Sequence, residues 1–230
     1  MFPDTQWTQL AAATLHGSDA GRAALSALCQ TYWEPVRRFI LSRGWARDEA
    51  EDLAQSFFLF AMERGVLRQA DPDRGRFRTF LLAVLNNFLL SERERRRAQK
   101  RGGGQVAEPL DEALAVGDGS EPPELVFDRE WALAAMRAAL DRVAAECVAR
   151  RGEAGFRVIG RFLGAAGDGR EVSYEAGARE LGTTPGALKT DVFHWRQKLR
   201  EALRAEVRRT VAAPHEIDEE LGYLRNLLAS

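Results

Sequence analysis

Apolar residues recur at three- and four-residue intervals along most of the chain, and no run alternates apolar with polar at every second position. The first pattern places an apolar stripe on a helix, whereas alternation would mark a half-buried strand. The spacing predicts helices near Arg22–Arg43, Asp48–Arg64, Arg76–Lys100, Glu130–Ala149, Ala154–Leu163, Tyr174–Leu181, Pro185–Arg209 and Glu216–Leu228, the first interrupted or kinked at Pro35. The expected fold class is all-α: two small helical domains joined by a flexible acidic linker, the C-terminal one containing a helix-turn-helix.

Charge falls in blocks. Ser91–Arg101 carries Arg93, Arg95, Arg96, Arg97, Lys100 and Arg101 against Glu92 and Glu94, a net +4. Gly102–Glu124 has six acids and no Lys or Arg, and its glycines and prolines resist both helix and strand. Gly186–Thr210 returns to +4, and the stretch after it is acidic again. These shifts mark Gly102–Glu124 as an interdomain linker.

The 230 residues are enough for one large or two small domains, and with 33 Lys and Arg against 34 Asp and Glu any basic surface must be local. Cys29 and Cys147 each sit in an apolar run, as buried thiols of a reducing compartment do. The N-terminal MFPDTQWTQL lacks a basic stretch followed by an apolar core, and no window of about 18 residues is uncharged, so a cytoplasmic protein without membrane contact is expected. The three histidines, His16, His194 and His215, do not form Glu-x-x-His pairs on the carboxylate-rich helices. No phosphate loop, nucleophile elbow or Cys cluster appears, so neither a metal, a cofactor nor a catalytic residue is expected.

The sharpest local pattern lies in Val172–Leu203. Ser173 suits the cap of a short helix that Gly182 ends, and Thr184 and Pro185 suit the cap and first turn of the next. Leu188, Val192, Trp195 and Leu199 share one face of that second helix, leaving Lys189, Thr190, Phe193, His194 and Gln197 outside it. In a helix-turn-helix Lys189, Thr190, His194 and Gln197 are placed for base edges or phosphates, Thr184 is a further candidate DNA contact, and Arg196, Lys198 and Arg200 are placed for phosphates. A plain helical hairpin with a solvated basic face fits the same spacing.

Two further segments stand out. In Arg74–Arg101, the cations Arg74, Arg76 and Arg78 interleave with Phe77 and Phe80, a combination that holds unstacked bases against aromatic rings. Leu81, Val84 and Leu85 read as core; for Phe77 and Phe80, core and stacking surface are both open. In Asp48–Glu63, Ala50, Leu53, Ala54, Phe57, Phe60 and Ala61 fall on one side, and Asp48, Glu51, Asp52, Gln55, Ser56, Leu59 and Glu63 on the other, an acidic stripe suited to solvation or to a basic partner.

In this order the segments resemble an RNA polymerase sigma factor of the sigma-70 superfamily, extracytoplasmic-function (ECF) group. Asp48, Glu51, Asp52 and Gln55 lie in the segment resembling the helix that binds the polymerase clamp. Gly75–Arg101, with Phe77, Arg78, Phe80 and Asn87, resembles the segment that captures the minus-ten element. Tyr174, Ala178, Leu181 and Gly182 followed by Gly186–Lys189 resemble the reader of the minus-thirty-five element. The resemblance implies a non-enzymatic specificity subunit that binds core RNA polymerase and directs promoter-specific initiation, with promoter DNA as a partner and an anti-sigma factor or a protein kinase as regulator. The same resemblance implies a first domain at 20–104, a linker at 105–124, a second domain at 125–212 and an amphipathic extension at 213–230. Phe80 stands where the family commonly has Trp, Ser91 where it has Asp, Gly177 where it has an apolar residue and Ser56 where an acid is frequent. Phosphorylation of Ser56 would restore that charge; Ser56→Glu should then tighten polymerase binding and Ser56→Ala should not, and equal affinities would dismiss the idea.

In the extension, Glu216, Asp218, Glu219 and Glu220 crowd a helix start, where the dipole favours them, and Leu221, Leu224, Leu227 and Leu228 form an apolar edge. Docking on the chain's own second domain accounts for that edge; an extra regulatory contact with polymerase or an anti-sigma protein is the alternative. Two other classes compete with the sigma-factor reading: a helix-turn-helix regulator acting without polymerase as a dimer on a palindrome, and a carboxylate-metal helical bundle.

Overall fold

The computed structural model describes residues 19–64, 66, 76–101, 121–164, 173–211 and 213–229. These form seven helices and no strand: α1 (Asp19–Ser42), α2 (Arg47–Glu63), α3 (Phe77–Arg101), α4 (Pro123–Phe162), α5 (Tyr174–Glu180), α6 (Pro185–Arg208) and α7 (Glu216–Ala229). The all-α expectation holds. Helix α1 runs through Pro35 rather than stopping there. The two helices expected at 130–149 and 154–163 are the two arms of α4, the first starting earlier, at Pro123, and the chain breaking between them at Gly152, whose φ of 69° suits glycine. Most of the acidic linker lies outside the described residues.

The chain divides into two compact units, one comprising the residues up to Ala134 together with Arg208 onward, the other Ala135–Val207. That partition differs from the expected segments in two ways. The first stretch of α4 belongs to the N-terminal unit because Phe127 packs on Tyr32 and Phe39 of α1, at ring separations of 6.4 and 6.2 Å. The C-terminal extension, expected on the second domain, belongs to the first unit as well.

The core of the first unit is aromatic. Tyr32, Phe39, Phe57, Phe77, Phe127 and Trp131 are all buried, with Leu53, Leu81, Leu85 and Phe88 among them. Each such side chain contributes roughly 1.5–3 kcal/mol on leaving water. Helix α2 buries Ala50, Leu53, Ala54, Phe57, Phe58 and Ala61, so the predicted stripe holds except that Phe58 replaces Phe60 on the inside. Phe58 stacks on the partly exposed Trp33 at 5.9 Å. Ala46, which precedes α2, has no side-chain acceptor; Glu49 reaches back to its N–H at 3.3 Å, one half of a capping box.

The second unit packs Ala139, Val143, Cys147, Val158, Ile159 and Phe162 of α4 against Ala178 of α5 and Leu188, Val192, Trp195 and Ala202 of α6. Ser173 caps α5 by accepting from the Ala176 N–H at 3.2 Å, and Gly182, at φ 63°, turns the chain after it. Gly177 is buried at the meeting of α5, α6 and α4: a Cβ there would lie 3.0 Å from both Leu188 and Val158. Burial raises the pKa of both cysteine thiols, which keeps them protonated and unreactive.

Candidate nucleic-acid and polymerase interface

Helix α2 presents the first candidate surface. Asp48, Glu51, Asp52, Gln55, Ser56 and Leu59 are exposed along it, Leu59 at 46%. Asp48 and Glu49 stand in its first turn, where the helix dipole favours carboxylates. Its start is braced from α3: Arg96 pairs with Glu49 and lies 4.5 Å over the Trp45 ring, while Arg93 donates to the Arg43 carbonyl at 2.7 Å and flanks the same ring at 5.5 Å. Two cations of the basic run are thus structural, fixing the loop that launches the acidic helix. The run alone does not reveal this, because Trp45 lies about fifty residues away in sequence.

The second surface is the outer face of α6. Lys189, Thr190, Phe193 and His194 are exposed and Gln197 is half-buried, while Leu188, Val192 and Trp195 are buried. Phe193 is the most exposed large apolar side chain among the described residues, at 62%. Thr184 serves as the cap, its hydroxyl accepting from the Ala187 N–H at 3.2 Å. Thr190 donates to the Gly186 carbonyl at 3.1 Å, Lys189 sits 5.5 Å from the Tyr174 ring, and Gln197 accepts from Arg200 at 3.2 Å. Arg196, placed by its sequence among phosphate-holding residues, donates from Nε and Nη2 to the Phe162 carbonyl at 3.3 and 3.1 Å. Its first task is to satisfy the end of α4, where carbonyls lack helical partners.

The third surface, the start of α3, is covered in this structure. Arg74 lies outside the described residues; Asn87 is exposed, and its carbonyl accepts from Ser91 at 3.1 Å. Phe80 is half-buried, tilted against Phe77 at 6.2 Å. Phe77, for which core and stacking were both open, is core: it is wholly buried and meets Tyr32 edge-on at 5.4 Å. Its N–H, a helix-start donor without an intrahelical partner, donates to the Thr210 carbonyl at 3.3 Å.

Arg78, read from sequence as a cation free to face DNA, is 5% exposed. Its Nε bonds Asp128 Oδ1 at 2.9 Å, its Nη1 pairs with Glu220, and its guanidinium lies 5.0 Å from both the Trp131 and Tyr223 rings. Arg76 binds the same Glu220 carboxylate at 2.8 Å. The other Asp128 oxygen accepts from the Tyr223 hydroxyl at 2.5 Å. Burial pulls Arg78 below the ordinary arginine value, with Asp128 opposing. Burial first, then the bond to Asp128, pushes the Tyr223 phenol up to about 12, and burial raises Tyr32 as well. Helix α7 turns Ile217, Glu220, Leu224 and Leu227 inward, so that of the expected edge Leu224 and Leu227 are buried, while Leu221 is half-buried and Leu228 is 38% exposed.

Among the described residues no cluster of His, Cys, Asp or Glu is arranged to hold a metal ion, and no helix is long and apolar enough to cross a membrane. Comparisons with curated proteins and with solved structures give no match. The ECF sigma factor family model matches residues 8–161. That span covers well over half of the sequence and includes both the acidic helix and the arginine- and phenylalanine-bearing helix after it, and on it the chain belongs to the ECF sigma factor family.

Proposed function

We propose that the chain binds core RNA polymerase and directs it to specific promoters. Asp48, Glu51, Asp52 and Gln55 meet the polymerase, and the helix-turn-helix of α5 and α6 meets duplex DNA. Lys189, Thr190, His194 and Gln197 offer donors and acceptors to base edges, Thr184 and Arg196 hold the reading helix in place, and Phe80 and Asn87, with Arg74, Arg76 and Arg78, form the segment that captures unstacked bases downstream, Phe77 supporting it from the core. One near-neutral molecule thereby meets a protein through carboxylates and a polyanion through cations. An anti-sigma factor or a protein kinase would act by covering or recharging one of these faces.

The observation that carries the reading is the exposed carboxylate stripe of α2 on a helix whose opposite side is core. A DNA-binding regulator working alone has no use for it. Reversing Asp48, Glu51 and Asp52 to Lys should weaken capture by core polymerase by at least about tenfold while the melting temperature stays put. Run-off transcription from a genomic library should yield promoter-specific transcripts with the wild-type chain and none with the reversed one. Equal capture of both proteins would leave the regulator reading in its place.

A further inference from the structure

The groups that make the start of α3 suitable for nucleic acid are held by the chain's own last helix. Glu220, with no exposed surface, places one carboxylate on both Arg76 and Arg78. Tyr223 lies against the Arg78 guanidinium and bonds the Asp128 carboxylate that holds it. Thr210 takes the Phe77 N–H, and Val211, Ile217, Leu224 and Leu227 are buried. A carboxylate between two guanidinium groups supplies there the negative charge that a phosphodiester would supply.

From this juxtaposition we infer that helix α7 acts as a detachable cover, in which Glu220 takes the place of a nucleic-acid phosphate on Arg76 and Arg78 and must leave before single-stranded DNA binds there. Naming single-stranded DNA as the competing ligand rests on the function proposed above; the competition itself rests on the contacts.

The attachment is built to be reversible. It consists of one fourteen-residue helix near the end of the sequence, with Gly222 in its middle. A helix that short is marginal unless packed, and an interior glycine lowers its stability further. Its polar anchor gives little net holding energy, since a buried ion pair spends most of its attraction on desolvation. Breaking it is nevertheless discriminating: Arg78 keeps Asp128 but both arginines lose the Glu220 carboxylate, which a neutral ligand does not replace and a phosphate backbone does. While the cover is on, apparent affinity for the competing anion falls by the fraction of molecules that are open.

The test uses the full chain and a fluorescein-labelled single-stranded oligonucleotide. Glu220→Gln keeps the shape and removes the charge, and it should tighten binding by roughly tenfold if it raises the open fraction from about 1% to about 10%. As a control that touches no group at the anchor, Arg225→Gly with Asn226→Gly loosens α7 from its exposed side and should move affinity in the same direction, by roughly fivefold for the pair. In the wild type, saturating oligonucleotide should speed amide hydrogen exchange across 216–229. Unchanged or weaker binding in the double-glycine chain, or helix α7 staying protected under saturating oligonucleotide, overturns the inference and leaves Glu220 a core residue of the first unit; the double-glycine chain decides the matter if Glu220→Gln does not fold. The failure modes separate: tighter binding without polymerase-dependent transcription removes the proposed function and keeps the cover, whereas transcription with no change on loosening α7 does the reverse.

Discussion

At Gly177 a single missing methyl decides how closely two helices meet. From its sequence position the glycine reads as a defect in a short helix, costing about 1 kcal/mol relative to alanine. In the fold it is where Leu188 and Val158 approach the α5 backbone most tightly. We therefore expect Gly177→Ala to be close to neutral, propensity offsetting crowding, and Gly177→Leu to destabilise the second unit by about 1–3 kcal/mol in urea unfolding. A stabilising leucine would refute that packing. The phenols of Tyr32 and Tyr223 give a second residue-scale expectation. Folding raises both above the ordinary value of about 10. The stability they contribute is whole below that value and is lost as pH rises toward the folded one, about 12 for Tyr223. Melting temperature should hold to about pH 9, fall above about pH 10, and fall less steeply in Tyr223→Phe.

Helix positions were largely legible from apolar spacing, and the reason is physical: α2, α3 and α6 each bury one continuous stripe, so period and burial report the same thing. Spacing does not show the contacts that one side chain makes with a distant segment. Arg93 and Arg96 look like solvated cations until Trp45 and Glu49 are brought beside them. Arg196 looks like a phosphate ligand until the Phe162 carbonyl is brought beneath it. Glu220 looks like one of four acids favoured by a helix dipole, yet alone among them it is fully buried. Amphipathicity announced that α7 needs a partner without naming one, and a carboxylate on the inward face is invisible to a hydrophobic pattern. The exposed acids of α2 and the outward residues of α6 were legible because nothing long-range in the described fold reassigns them.

At the scale of the whole molecule, the first unit is discontinuous in sequence: the chain leaves it after Ala134 and re-enters at Arg208. Cutting at the apparent linker would strip that unit of Phe127 and Trp131, which close its aromatic core, and of the helix that seats Glu220. A fragment ending near residue 104 would thus be an incomplete body with a raw apolar wall, prone to self-association. The dissection that respects the units runs the other way: removing residues 135–207 and joining 134 to 208 would keep both separated pieces of the first unit in one polypeptide.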